Sequence, residues 1–219
     1  MTIKGLLFDL DGTLVNTNKI ILACFDYACQ TCLGHQVPQA EFINYFGIPL
    51  LEGMEALFPG RGRELSDTYR AYQVLHHDEL IEKFPHMEET LAKLAADGIK
   101  MAVVTSKKQE TARQGLRCCG IEQYFSAVIG NGDVEEHKPA AQPSLKGLQA
   151  LGLKGSECLC IGDSPYDLIS GRAAGCKTVA VRYSLFDQER LLHEGQPDYT
   201  ISSIVELPKI IERLNKKEA

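Results

Sequence analysis

Five short apolar runs limit what this chain can fold into: Gly5-Leu6-Leu7, Lys100-Met101-Ala102-Val103-Val104-Thr105, Ala127-Val128-Ile129, Cys158-Leu159-Cys160-Ile161-Gly162 and Thr178-Val179-Ala180-Val181. None alternates polar with apolar residues, so each reads as a strand covered on both faces. Between the later runs lie segments with helical spacing: Glu88 to Asp97, Gln109 to Cys119, Ala141 to Leu151 and Asp167 to Ala174. Each is followed by a stopping glycine, Gly98, Gly120, Gly152 and Gly175 in turn. Ser203 and Glu206 have the spacing of a capping box that opens a last helix. Strand–helix–strand repetition implies a parallel sheet with helices on both faces, a doubly wound α/β fold.

The stretch between the first run and the rest has a different texture. Lys19 to Leu33 reads as a helix ending at Gly34, and Pro38 opens a short one that Gly47 and Pro49 break. Leu50 to Leu57 and Arg61 to Glu82 complete a helical block. No strand pattern is visible between residues 16 and 83. The expected organisation is therefore an α/β core of residues 1–15 and 84–219 that carries a helical cap of residues 16–83. Hinges are expected near Val15–Thr17 and Lys83–Pro85, where domain closure would enclose a small substrate.

Composition narrows the function classes. The 219 residues are 44 % hydrophobic, enough for a sizeable core. Lys plus Arg number 23 against 29 Asp plus Glu, and a net charge of −6 argues against nucleic acid or an anionic membrane as the main partner. No stretch approaches the ~18 apolar residues of a membrane span, and a first strand entered near Lys4 leaves no room for a signal peptide. The expectation is a cytoplasmic protein, monomer or homodimer. The eight cysteines fall below the roughly 8–10 % of a disulfide scaffold. Cys29-Gln30-Thr31-Cys32 has a metal-like spacing but no second pair follows it, so the thiols are read as reduced and mostly buried.

Ligands of open parallel sheets bind outside the carboxyl ends of the strands. There the sequence places Asp9 and Asp11, Thr105-Ser106-Lys107, His137-Lys138-Pro139, and Gly162-Asp163-Ser164-Pro165-Tyr166-Asp167. Two carboxylates one residue apart at the end of a buried strand repel each other, and burial penalises each charge further. A hard cation relieves this, and Mg²⁺ takes a few carboxylate oxygens together with water and substrate phosphate. One carboxylate can then attack phosphorus, while a second protonates the leaving oxygen and activates water. A lysine and a hydroxyl can hold the phosphoryl oxygens, where charge sits in the transition state.

Asp9-Leu10-Asp11-Gly12-Thr13, Thr105, Lys138 and Gly162-Asp163-x-x-x-Asp167, in that order, resemble the four motifs of the haloacid dehalogenase superfamily. The resemblance covers nearly the whole chain, including the position of the helical cap. It implies Asp9 as nucleophile and Asp11 as general acid/base, with Thr105, Ser106 and Lys138 on the phosphoryl group. It also implies that Mg²⁺ is held by Asp9, the main-chain carbonyl of Asp11 and Asp163, with Asp167 supporting the metal shell. Asn16-Thr17-Asn18 and Tyr69-Arg70 followed by His76-His77-Asp78-Glu79-Leu80 resemble the branch holding bacterial pyrophosphatases and phosphoglycolate phosphatases. Two departures from the family pattern are Ala140 after the lysine–proline pair and Asn16, at positions where many relatives carry Asp.

Plainer readings stand beside these. Asp167 can cap the following helix, Thr105 can simply end a strand, and Lys138 and Lys107 can be solvated lysines. Adjacent His76 and His77 point about 100° apart on a helix and do not chelate as a pair; they are read as surface or cap–core residues. The rival functions are a β-phosphoglucomutase-like sugar-phosphate mutase and, from another class, a phosphoacceptor signalling domain. A dehalogenase is disfavoured because halide leaves without the proton that Asp11 would supply. A signalling domain is disfavoured because the acceptor lies on the first strand with an acid two residues on. The expected partner is a small phosphorylated substrate.

Overall fold

The computed structural model describes residues 2–216. In chain order the first half runs β1 (Gly5–Phe8), β2 (Val15–Asn16), α1 (Asn18–Leu33), α2 (Gln39–Ile43), α3 (Leu50–Leu57), α4 (Gly62–Leu80), β3 (Glu82–Lys83), α5 (Met87–Ala96), β4 (Lys100–Lys108) and α6 (Gln109–Cys118). The second half runs β5 (Ala127–Asn131), α7 (Gln142–Leu151), β6 (Cys158–Gly162), α8 (Pro165–Ala173), β7 (Lys177–Val181), α9 (Gln188–Gly195), β8 (Tyr199–Ile201) and α10 (Leu207–Lys216).

Six strands form one sheet in the order β5-β4-β1-β6-β7-β8, every neighbouring pair parallel. Because the central strands are covered on both faces, their successive side chains enter different cores. Leu6 and Phe8 of β1, Met101 and Val103 of β4, and Leu159 and Ile161 of β6 point into one, with Leu91 of α5 and Ile211 of α10. Leu7, Ala102, Val104, Cys158 and Cys160 point into the other, under Leu148 and Leu151 of α7. That double burial is why the strands carry uninterrupted apolar runs. β1 lies between β4 and β6, so the chain winds one way from β1 to β5 and the other way from β6 to β8. The order reverses at β1, which places the expected crevice directly above the end of that strand.

The helical cap is inserted between β2 and β3. Phe25 of α1, Phe42 of α2, Met54 of α3 and Leu65 and Tyr69 of α4 are buried there, with the Phe25 and Phe42 rings stacked at 4.4 Å. The insert leaves and rejoins the sheet domain at an antiparallel pair, Val15 opposite Lys83 and Asn16 opposite Glu82.

Several elements differ from the sequence expectation. The β2–β3 pair falls where no strand was visible, because two residues are too few to leave a pattern. α4 stops at Leu80 for the same pair. β4 runs on to Lys108 through a register shift after Val104. α8 starts at Pro165 rather than Asp167, and α9 and the edge strand β8 were not expected. All eight cysteines are free thiols; six are buried, Cys32 is half-buried and Cys118 is exposed. No helix of the described residues is long and apolar enough to cross a membrane.

Candidate active site

The carboxyl ends of β1, β4 and β6 bring the expected residues together. The Asp9 N–H donates to the Ile161 carbonyl at 2.9 Å, which extends the β1–β6 pairing by one residue and fixes where the Asp9 side chain leaves the sheet. Beyond it the backbone turns tightly, the Leu10 carbonyl accepting from the N–H groups of Leu14 and Val15. Gly12 makes this turn at φ +75°, and a Cβ there would run into the Asp163 carboxylate and the Ser184 hydroxyl. Both the conformation and the close approach require glycine.

Lys138 stands behind Asp9, buried and off the cavity. Its ammonium donates to Asp9 Oδ1 at 2.8 Å, to the Val104 carbonyl at 2.6 Å and to Asp167 Oδ1 at 2.5 Å. A lysine has three donors, and all three are engaged. Contact with a phosphoryl oxygen therefore requires one of these bonds to be exchanged. Burial works against the Lys138 charge, but Asp167 and Asp9 outweigh it and hold the proton more firmly than on a free lysine.

Asp167 is the third helical residue of α8, and its Oδ2 accepts from the Ser164 N–H at 3.1 Å and the Ser164 hydroxyl at 2.6 Å. The helix-capping reading and the site reading of Asp167 thus both describe it: Oδ2 caps the helix while Oδ1 meets Lys138. Asp163 accepts from the Ser184 hydroxyl.

Carboxylate oxygens of Asp9, Asp163 and Asp167 lie within 4.8 Å of one another. Three carboxylates facing a single ammonium leave a deficit of positive charge. The deficit registers in Asp9, whose carboxyl burial pushes up to about 7, with Lys138 opposing and Asp167 and Asp11 adding to the rise. Asp163 is raised as well, by burial first and then by Asp9 and Asp167. An all-oxygen, charge-deficient cluster fits a hard divalent cation such as Mg²⁺. Both Asp167 oxygens already have donors, whereas Asp9 and Asp163 each keep one oxygen without a donor among the described residues.

Asp11 Oδ1 is 2.7 Å from Lys107 Nζ, an ion pair only partly exposed. Lys107, which the sequence alone allows to be a solvated lysine, is turned onto Asp11 by the bulged end of β4. Ser184, twenty-one residues beyond Asp163, left no sequence signal at all. The Thr105 hydroxyl accepts from the Lys107 N–H at 3.1 Å, so its own proton stays available to a ligand. The Ser106 hydroxyl donates to the Gly47 carbonyl at 2.7 Å and ties the sheet edge to the insert.

A cavity of about 480 Å³ opens over this edge. Asp9, Asp11, Thr105, Ser106, Lys107 and Asp163 line its floor, and Ile21, Phe42, Tyr45, Phe46, Ile48 and Tyr69 line the insert side. His76 and His77 are not among the lining residues. His77 is buried beside Gly115 of α6, its Nδ1 2.8 Å from Asp78 Oδ1, so its place is at the cap–core contact.

A family model described as haloacid dehalogenase-like hydrolase matches residues 6–181. A protein from Halalkalibacterium halodurans named pyrophosphatase PpaX is 36 % identical over 211 residues, covering 96 % of this chain and 98 % of its own. A protein from Caldanaerobacter subterraneus, provisionally given the same name, is 40 % identical over 218 residues, covering 100 % and 99 %. Among solved structures, a predicted phosphoglycolate phosphatase from Haemophilus somnus superposes with a TM-score of 0.86. It is 24 % identical and covers 96 % of this chain and 98 % of its own, a likeness of fold.

Proposed function

The chain belongs to the haloacid dehalogenase-like hydrolases, and from that premise we propose that it is a Mg²⁺-dependent phosphohydrolase. Its substrate is a small anionic phosphate compound, pyrophosphate or a phosphoglycolate-like monoester, and Asp9 is the nucleophile. One observation carries the reading. Asp9 enters the cavity at the reversal point of the sheet with Lys138 on one oxygen, Asp163 beside it and a second carboxyl, Asp11, two residues on.

Lys138 holds Asp9 Oδ1, which leaves Oδ2 without a donor among the described residues. That oxygen attacks phosphorus, the bond from phosphorus to the leaving oxygen breaks, and an aspartyl-phosphate forms. An entering phosphate competes for Lys107 Nζ and frees the Asp11 carboxyl, which takes a proton from solvent, gives it to the leaving oxygen and is left as the carboxylate. In the second half Asp11 takes a proton from water, the water oxygen bonds phosphorus, and Asp9 is released with inorganic phosphate. Thr105 donates its free hydroxyl proton to a phosphoryl oxygen. Asp9 and Asp163 would hold a Mg²⁺, which would supply positive charge for the phosphoryl oxygens.

The names of the PpaX relatives support pyrophosphate, and the residues at the sheet edge serve hydrolysis and mutase chemistry alike. The test is therefore a phosphate-release screen with Mg²⁺ over pyrophosphate, 2-phosphoglycolate and hexose monophosphates, read beside isomerised sugar phosphate. Release from the first two with no isomerised product is expected; isomerisation without net phosphate release contradicts the reading.

A further inference from the structure

The two sides of the cavity differ in charge. The sheet edge supplies Asp9, Asp11, Asp163, Lys107, Lys108 and Glu110, whereas among the described lining residues the helical insert supplies one charged side chain, Arg70 of α4. Lys107 is committed to Asp11, while Lys108 and Glu110 are exposed at the edge. Arg70 lines the cavity next to buried Tyr69, with its own side chain 38 % exposed. Its Nη1 donates to Asp67 Oδ1 at 3.3 Å, the long end of the hydrogen-bonding range, and no other partner engages the guanidinium among the described residues. A guanidinium has five N–H groups in a planar fork, so most donors of this cavity-lining residue remain free for a carboxylate or phosphate.

We propose that Arg70 determines specificity by binding a second anionic group, carboxylate or phosphate, on the leaving group of the substrate. This rests on the phosphohydrolase reading above. The transferred phosphoryl faces Asp9 on the sheet edge and the rest of the substrate faces the insert, where Arg70 is the one cation to meet it. A substrate whose leaving group carries no charge gains nothing from Arg70.

The experiment compares wild type, Arg70→Gln, Arg70→Lys and Lys108→Gln on three substrates: pyrophosphate, 2-phosphoglycolate and phenyl phosphate, whose leaving group has no second anion. Losing a charge-assisted hydrogen bond should lower kcat/KM of Arg70→Gln by about 10- to 100-fold on the substrates that carry the second anion, mainly through KM. Phenyl phosphate should lose less than about three-fold, and Arg70→Lys should recover part of the loss. Selective loss on pyrophosphate alone identifies phosphate as the group read, loss on 2-phosphoglycolate alone identifies carboxylate, and loss on both supports the shared anion chemistry. Equal loss on all three, no loss on any, or a selective loss in Lys108→Gln instead overturns the role of Arg70 while leaving the phosphohydrolase reading intact. A wild type idle on all three, phenyl phosphate included, defeats that reading and Arg70 with it.

Discussion

The floor and the roof of the cavity are built on different principles. The floor is crowded with charge, each group held near a strand end by a polar partner: Asp9 by Lys138, Asp11 by Lys107, Asp163 by Ser184. The roof is nearly uncharged, a helical wall of Phe42, Tyr45, Phe46 and Ile48 broken by Arg70. Rigid strand ends suit groups that must meet one phosphorus atom within a fraction of an ångström. A wall of side chains on separate helices can vary without disturbing that geometry. In this account the floor does the chemistry and the roof chooses the molecule.

Substitutions on the floor are the strongest way to break that division. Asp9→Asn should lower kcat by roughly 10⁴-fold or more on every substrate alike, because the nucleophile is lost whatever the leaving group. A loss confined to one substrate would erase the distinction between floor and roof. Asp11→Asn should cost about 10²–10⁴-fold in kcat, most with poor leaving groups that need the proton. Steady-state rates on leaving groups of graded acidity read this out, and a uniform loss would count against Asp11 as the acid.

Lys138→Met sharpens the account from the side of stability. It leaves the buried carboxylates of Asp9 and Asp167 without their shared cation, so denaturant unfolding should show a loss of about 3–5 kcal/mol. The same truncation of exposed Lys108 should cost next to nothing.

A pH series tests the charge deficit on the floor. The Asp9 carboxyl sits at about 7 in the folded chain against an ordinary 3.8, and Asp163 is raised too. Between those values the folded state holds protons that the unfolded state has lost, so these groups lower stability as pH rises through that window. A Mg²⁺ held by the cluster would take the place of the protons. The increase in melting temperature on adding Mg²⁺ should therefore grow from pH 5 to pH 8, and a pH-independent increment would contradict the assignment of the cluster. The smallest expected effect lies where floor and roof touch. Ser106→Ala removes one hydrogen bond to Gly47 and should cost about 1 kcal/mol, with only a modest change in KM.

The floor was largely legible in the sequence and the roof was not. Parallel strands buried on both faces leave continuous apolar runs, so β1, β4, β5, β6 and β7 were each readable, and polar residues at their ends stood out against them. Edge strand β8 spans three residues, Tyr-Thr-Ile, and shows no such run; α9 carries a mostly polar sequence with too little apolar spacing. Lys107 reaches Asp11 only because β4 is bulged beyond Val104, and Ser184 reaches Asp163 from the loop after β7. Neither is encoded in local spacing. On the insert, which side chains face the cavity depends on how four helices pack, so Arg70 was visible as a residue but not as the lone charge of a wall.

The account stands on Asp9 becoming phosphorylated. Wild-type protein and Asp9→Asn would be mixed with pyrophosphate or 2-phosphoglycolate and Mg²⁺, quenched in acid and measured by mass spectrometry with and without hydroxylamine. The prediction is one added phosphoryl group on the peptide containing Asp9 in the wild type, removed by hydroxylamine and missing from Asp9→Asn. Phosphate release by a wild type that never carries the group, or a phosphoryl group that persists in Asp9→Asn, would contradict it.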